Sequence, residues 1–91
     1  IFNLIGANVF DQIKAGAVMS IHYSVAPEAE YHQLRTTSGW WNDLVGTSVI
    51  EFSTDGVKEI QLTQDILNQI KEQAGFLCVG HGYYVDMVTL Q

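Results

Sequence analysis

The chain has 91 residues, which suffice for one domain and are too few for a second independent core. Apolar residues make up 47% of it, as in an ordinary globular protein, and this excludes an intrinsically disordered chain. Ten acidic residues against four basic ones give a net charge of −6. Because the basic residues are also scattered, the sequence excludes a protein that binds nucleic acid or an anionic membrane.

The first third of the chain predicts a strand, a helical turn and a second strand. The first strand covers residues 1–5, and the helical turn covers residues 8–14 with Asn8 as its N-cap. From residue 18 the pattern changes to strict alternation, which indicates a strand with one buried and one polar face. The buried face consists of Met19, Ile21 and Tyr23, and the polar face of Ser20, His22 and Ser24.

The middle third predicts three strands. Residues 31–35 alternate, with Tyr31, Gln33 and Arg35 on one face, and residues 37–39 predict a turn. Residues 48–53 and 58–62 form two further alternating runs. The inward side chains of these runs are Ile50, Phe52, Ile60 and Leu62. An Asp-Gly pair lies between them, so we expect the two runs to pair as a hairpin around residues 54–56.

The last third predicts one helix and two strands. The helix covers residues 63–73, with Thr63 as its N-cap and Gly75 as its end. Its apolar stripe consists of Ile66, Leu67 and Ile70. The two strands cover residues 76–79 and 83–90. The whole pattern predicts an all-β fold, an antiparallel β-sandwich or jelly roll with one short helix, as a single domain over residues 1–91.

The single cysteine and the start of the chain each support one expectation. The one cysteine, Cys78, lies in an apolar run, so we expect a buried thiol rather than a reactive one. No apolar run approaches the roughly 20 residues of a membrane span. The chain begins without an initiator Met, and we interpret it as a single module cut from a longer protein.

The sequence contains none of the common catalytic motifs. It has no glycine-rich loop before a helix and no serine in a G-x-S-x-G setting. The three histidines match no short zinc-binding spacing, so we expect no metal and no cofactor. A hydrolase would need a carboxylate pair such as Asp43 with Glu51 or Asp86, but solvated surface positions are the simpler interpretation on so acidic a chain. We therefore expect no enzymatic activity.

Trp40 and Trp41 are the most informative residues. Side chains of adjacent residues on an extended segment point to opposite faces. Both tryptophans can therefore be buried only if the strand is covered on each side. Polar neighbours argue against such burial, and we expect at least one exposed ring, which marks a binding surface. A bulge or turn at residues 38–39 would let both rings face one ligand. A flat aromatic ring with polar groups around it suits the C–H face of a sugar.

The candidate binding residues are the aromatic and polar side chains expected near this pair: Trp40, Trp41, Gln33, Tyr31 and His22. An uncharged ligand fits an acidic chain with few charges, whereas an anionic polysaccharide does not. The alternative is a structural or protein-interaction β-sandwich in which the two tryptophans pack against a neighbouring domain or a second copy.

Four segments follow one another in an order found in a known family. After an apolar strand and a short helical turn at residues 8–10, they are residues 15–21, residues 31–34 with 39–44, residues 62–67, and residues 75–82 with 85–90. In this order they resemble the β-sandwich carbohydrate-binding modules appended to plant-cell-wall-degrading, cellulosomal enzymes of gut and rumen bacteria. The resemblance implies that Trp40 and Trp41 stack on sugar and that Gln33 binds a hydroxyl group. The further tryptophan that many relatives have would then be replaced by one of Tyr23, Tyr31, Tyr83, Tyr84 and His22.

The resemblance also implies a function and a setting. The ligand would be a β-linked plant cell-wall polysaccharide such as β-glucan, xyloglucan or glucomannan, bound without catalysis. The module would be secreted, would act outside the cell, and would be joined to a glycoside hydrolase domain in its parent protein.

Overall fold

This computed structural model describes residues 3–91. These residues form seven β-strands, one α-helix and one 3-10 helix. The strands are β1 (Asn3–Ile5), β2 (Val18–Val25), β3 (Gln33–Ser38), β4 (Ile50–Glu51), β5 (Gly56–Gln61), β6 (Phe76–His81) and β7 (Tyr83–Leu90). The helix α1 spans Gln64–Glu72, and the 3-10 helix spans Ala7–Phe10.

The strands form two antiparallel sheets. The four-stranded sheet has the order β1-β6-β3-β4, and the three-stranded sheet has the order β5-β2-β7. Consecutive strands lie in different sheets, except for β3 and β4, so the chain passes between the layers at most connections. The predicted antiparallel β-sandwich with one short helix is confirmed.

The core lies between the sheets and is closed by the helices. Met19, Ile21 and Tyr23 of β2 are buried, and so is the predicted stripe of α1, as the alternation and the helical period indicated. The hydroxyl of Thr63 accepts a hydrogen bond from the Ile66 N–H at 3.2 Å, which confirms the predicted N-cap.

The predicted hairpin around the Asp-Gly pair is wrong. β4 pairs with β3 in the four-stranded sheet, whereas β5 pairs with β2 in the other sheet. The Asp55 carboxylate accepts a hydrogen bond from the Val25 N–H at 2.9 Å, and this contact ties the segment to the end of β2. The pair therefore marks a crossover between the layers.

Several element boundaries differ from the prediction, including those of β5, which spans Gly56–Gln61 where residues 58–62 were predicted. β3 continues to Ser38 instead of ending at residue 35, because its pairing with β6 continues through Thr36, Thr37 and Ser38. Of the predicted turn at residues 37–39, only Gly39 lies beyond the strand. Of the predicted strand 48–53, only Ile50–Glu51 pair with another strand, and they form β4. The predicted strand 76–79 continues to His81 as β6. The early helical turn is the 3-10 helix, preceded by Gly6 and without a side-chain cap, so Asn8 is not an N-cap. Residues 1 and 2 of the predicted first strand lie outside the described residues.

Cys78 is buried in the middle of β6, as predicted. Burial raises the pKa of its thiol from the ordinary value of 9.0 to about 12. The pKa of the Tyr83 phenol is also raised, chiefly by burial and further by the neighbouring Cys78. Both groups stay neutral in the folded protein over a pH range in which they ionise in the unfolded chain.

We expect the free energy of unfolding to fall as pH rises from about 9 towards 12. The unfolded chain loses the Cys78 proton in this range while the folded protein retains it, so each such group lowers the stability by up to about 1.4 kcal/mol per pH unit. Urea unfolding at several alkaline pH values measures the slope. Cys78→Val should reduce the slope to the part contributed by Tyr83, and an unchanged slope in this variant would contradict the assignment.

Candidate functional site

The outer face of the four-stranded sheet, which we call the sheet face, is built from alternate residues of β3 and β6. Its facing pairs are Gln33 with His81, Arg35 with Val79, and Thr37 with Leu77. The intervening residues of β3 point into the core. β4 adds Glu51 opposite Gln33, and the Gln33 amide donates to a Glu51 carboxylate oxygen at 3.4 Å.

At its end β3 enters a tight turn, residues 38–42, which we call the tryptophan hairpin. The Ser38 N–H donates to the Asn42 carbonyl at 2.8 Å, and the Trp41 N–H donates to the Ser38 carbonyl at 3.0 Å. Three residues lie between the closing pair, and the third, Trp41, has a φ of 68°. Such loops normally place a left-handed residue, usually glycine, at this position. The predicted turn at the tryptophan pair is therefore present, beginning at Gly39.

Both indole rings are exposed, which confirms the expectation of at least one exposed tryptophan. Trp40 is 60% exposed and Trp41 is 57% exposed. Trp41 borders a depression of about 330 Å³ on the sheet face. The other residues lining it are Gln33, Arg35, Thr37, Val49, Val79 and Gly80. The structure thus brings Trp41 and Gln33 together, with Trp40 on the same hairpin.

A large aromatic residue in the left-handed region is unusual, because its Cβ crowds the backbone carbonyl. The conformation of Trp41 therefore costs about 1–2 kcal/mol relative to an ordinary right-handed one. Strained residues of this kind concentrate at functional sites. The hairpin holds this conformation because contacts from elsewhere in the fold fix its ends.

Two glutamines fix the tryptophan hairpin: Gln69 lies in α1, and Gln73 directly follows it. The Gln73 amide oxygen accepts from the Ser38 hydroxyl at 2.7 Å and from the Asn42 amide at 3.1 Å. The Gln69 amide donates to the Asp43 carbonyl at 2.9 Å and accepts from the Val45 N–H at 3.0 Å. These bonds attach the hairpin to the helix, which is itself anchored in the core.

We expect Gln73→Ala to loosen the hairpin. Losing an acceptor of two hydrogen bonds should lower the free energy of unfolding by about 1–2 kcal/mol. Heteronuclear NOE values of the two indole N–H groups should fall. A substitution that lowers stability away from the hairpin would not change these values. Gln64→Ala is the matched control, since its amide donates to Asn68 within the same helix. Equal indole NOE values in the parent and in Gln73→Ala would refute the role of Gln73 in fixing the hairpin.

An ion pair borders the depression. Arg35 Nε lies 3.3 Å from Asp43 Oδ1, with both side chains about half exposed. An exposed pair adds little stability, but it restricts the Arg35 side chain beside the depression and uses one of the five N–H groups of the guanidinium. Asp86 lies on the other sheet, where it accepts from the Ser24 hydroxyl at 3.1 Å. The structure therefore does not bring Asp43 and Asp86 together as a catalytic pair.

The other two predicted binding residues lie further away. Tyr31 precedes β3 and stacks on His81, with ring centroids 4.4 Å apart and an interplanar angle of 22°. It therefore borders the sheet face at the Gln33 end. His22 lies on the three-stranded sheet, between Val57 and Met87 on the polar side of β2. That sheet is across the core from Gln33 and the tryptophan hairpin, so the structure does not bring His22 to the sheet face.

Sequence reasoning missed two features of the site: the hydrogen bonds of Gln69 and Gln73 with residues 38–45, and the ion pair between Arg35 and Asp43. Gln69 and Gln73 are four residues apart and thus lie on one side of the helical path, a spacing that is visible in the sequence. Nothing in the sequence shows which segment such a polar stripe contacts. The same is true of Arg35 and Asp43, which are brought together by the hairpin.

Two further observations concern the described residues. Within residues 3–91, no group of three or more His, Cys, Asp or Glu side chains is placed to hold a metal ion. Over the same range, no helix has the length and apolar character needed to cross a membrane.

Comparison with known proteins identifies a similar solved structure. No protein-family model matches the chain, and no curated protein matches it. The chain is similar to SGBP-B of the Bacteroides ovatus mixed-linkage glucan utilization locus, solved in complex with a mixed-linkage heptasaccharide. The TM-score is 0.90 and the identity is 48%, over 96% of this chain and 22% of that chain. The chain thus spans about a fifth of the length of SGBP-B.

Proposed function

We propose that this domain binds β-linked plant cell-wall glucans without catalysis, through the sheet face and the tryptophan hairpin. The principal ligand is mixed-linkage β-glucan, and xyloglucan and glucomannan are related ligands of the same class. The observation that most supports this is the 48% identity, at a TM-score of 0.90, to a protein solved with a mixed-linkage heptasaccharide.

The chemistry of the sheet face suits an uncharged sugar. The exposed faces of Trp40 and Trp41 offer flat apolar surfaces on which the C–H side of a glucose ring stacks. Gln33 and Arg35 offer N–H donors beside Trp41, and the carboxylate of Glu51 accepts from hydroxyl groups. A few placed polar groups around an apolar surface orient a ligand in this way.

Charge and size limit the ligand further. The net charge of −6 disfavours polysaccharides that contain uronic acids, because like charges repel each other. The depression beside Trp41 has a volume of about 330 Å³, which holds only part of a polysaccharide chain. After the cost of immobilising the ligand, we expect a dissociation constant on the order of 10–100 μM.

A polymeric ligand also suggests where the domain acts. Long plant polysaccharides are met outside the cell, so we propose an extracellular location. The similarity to one part of a longer glucan-binding chain supports a role as one module of a larger protein. The narrower proposal, that the adjoining domain is a glycoside hydrolase of a cellulosomal enzyme, derives from the motif resemblance alone.

Affinity gel electrophoresis tests the proposed function. We expect native gels containing mixed-linkage β-glucan, xyloglucan or glucomannan to retard the domain, and gels containing polygalacturonate or starch to leave it unretarded. No retardation by any β-linked glucan would refute the proposal. Release of reducing sugar from β-glucan, abolished in Asp43→Asn or Glu51→Gln, would refute the absence of catalysis.

A protein-interaction domain would behave differently in solution. Its mass in sedimentation equilibrium would rise with protein concentration, and its tryptophan fluorescence would follow protein concentration rather than added glucan. This result would favour the alternative over glucan binding.

A further inference from the structure

A second cavity lies at one end of the sandwich, and we call it the end cavity. Its volume is about 520 Å³. One wall is the loop between β2 and β3, from Ala26 to Tyr31, and the other is the turn between β6 and β7, from Gly80 to Tyr84. None of the contacts described for the tryptophan hairpin reaches it.

The end cavity is continuous with the sheet face. Gly80 lines both the depression beside Trp41 and the end cavity. His81, which also lines the end cavity, is the register partner of Gln33. Successive outward residues of a strand are about 6.6–6.8 Å apart, so the end cavity begins one such step beyond the Arg35 position. A ligand that extends along β3 from Trp41 past Gln33 therefore reaches it.

The walls offer the same chemistry as the sheet face. Tyr31 is 51% exposed and is supported from behind by the stacked ring of His81. Tyr84, on the opposite wall, is 50% exposed. Exposed tyrosine rings provide stacking surfaces for sugar rings, and Glu28 and Glu30 provide acceptors for hydroxyl groups.

The two walls are held in place without a ligand. The Ala26 N–H donates to the Gly82 carbonyl at 2.9 Å, and the ring of His32 lies with Nε2 3.1 Å from the Ala26 carbonyl. Gly82 packs so closely on the opposite loop that a Cβ there would lie 2.2 Å from the Tyr31 carbonyl oxygen. A cavity with fixed walls loses little ordering entropy when a ligand enters.

From this geometry we infer that the end cavity is a distal subsite, which binds further units of the same neutral β-glucan chain that lies on the sheet face. The domain therefore distinguishes glucans by length, since a short oligosaccharide fills the depression beside Trp41 alone. The inference rests on the proposed function, assigns the predicted binding residue Tyr31 to the distal subsite, and adds Tyr84 and the supporting His81 to the binding surface.

Isothermal titration calorimetry of the intact domain with a mixed-linkage trisaccharide and heptasaccharide tests the inference. We expect the parent to bind the heptasaccharide more tightly. Tyr84→Ala should lower the ratio of heptasaccharide to trisaccharide affinity by about 2- to 10-fold, the value of one aromatic stacking contact. Tyr84→Phe keeps the ring and should keep the ratio. Met87→Ala, on the exposed face of the other sheet, is the matched control and should leave both affinities unchanged.

A second measurement is independent of substitution. In two-dimensional NMR spectra, the amide signals of Gly82 and Tyr84 should shift on addition of the heptasaccharide and stay in place with the trisaccharide. Equal affinities for the two lengths, or an unchanged ratio in Tyr84→Ala, would overturn the distal subsite and leave the proposed function intact. Binding of neither oligosaccharide by the parent would overturn both.

Discussion

Trp41→Ala and Trp40→Ala are each expected to lose retardation on mixed-linkage β-glucan while their melting temperatures stay close to that of the parent. Each tryptophan residue is more than half exposed, so each contributes little to the core, whereas truncation of a buried tryptophan costs about 3–5 kcal/mol. A central aromatic contact is typically worth about 2 kcal/mol or more in binding, which is roughly a 30-fold loss of affinity. A ligand bound at micromolar strength would then no longer retard the protein.

Affinity gels and thermal melts measured on the same preparations give the two readouts. Val57→Ala serves as the control, because Val57 is an exposed apolar residue on the three-stranded sheet. If the melting temperature fell together with binding, the rings would instead support the fold. Normal melting with unchanged binding in both variants would place the binding site elsewhere on the domain.

Gly39→Ala is expected to disturb both stability and binding. A Cβ at Gly39 would lie 2.5 Å from the Ala74 carbonyl oxygen and 2.7 Å from the Gln73 carbonyl oxygen, both of them backbone atoms. The hairpin and the segment after α1 must therefore separate, which also breaks the 2.9 Å hydrogen bond from the Gly39 N–H to the Gly75 carbonyl. Overpacking of this kind costs about 1–3 kcal/mol, and it displaces the tryptophans as well.

Gly46→Ala is the informative control for this effect. Gly46 has a φ of +77°, but a Cβ there would meet nothing within 4 Å. Its substitution tests the cost of the backbone conformation alone, about 1 kcal/mol, away from the tryptophan hairpin. We expect Gly46→Ala to melt slightly earlier and to bind glucan normally. If Gly39→Ala melted and bound like Gly46→Ala, the close approach of the hairpin to the helix would not matter for the site.

Local periodicity predicted much of the fold. The inward face of β2, the stripe of α1, the Thr63 cap and the β7 boundaries all depend on neighbouring residues of one segment, and all are present. The choice of partner strand depends on contacts between distant segments. Local sequence rules therefore predicted a hairpin at the Asp-Gly pair. In the structure the two flanking strands, β4 and β5, lie in different sheets.

The buried end of β3 shows a second limit. Polar composition predicted a turn at residues 37–39, which includes the hydroxyl residues Thr37 and Ser38. In the structure their backbone pairs with β6, and the Ser38 hydroxyl has a partner in Gln73. Burial of a polar side chain costs little when it is hydrogen-bonded, and that partner lies 35 positions away in the sequence.

In the candidate site, too, local features were predicted from the sequence and the relative placement of distant segments was not. Exposure of the tryptophans follows from the polar residues around them, and it was predicted. Gln33 and His22 both lie on polar strand faces, so no local pattern distinguishes the sheet that faces Trp41 from the sheet across the core. The assignment of β2 and β3 to different sheets is what separates them.

The left-handed conformation of Trp41 has a consequence for engineering this domain. Glycine or asparagine suits a φ of 68° better than tryptophan does, so a programme that selects variants for thermal stability alone would favour replacing the ring. The most stabilised variants would then be the poorest glucan binders. Stabilisation of this domain for use as an affinity reagent should hold residue 41 constant and improve sites on the three-stranded sheet.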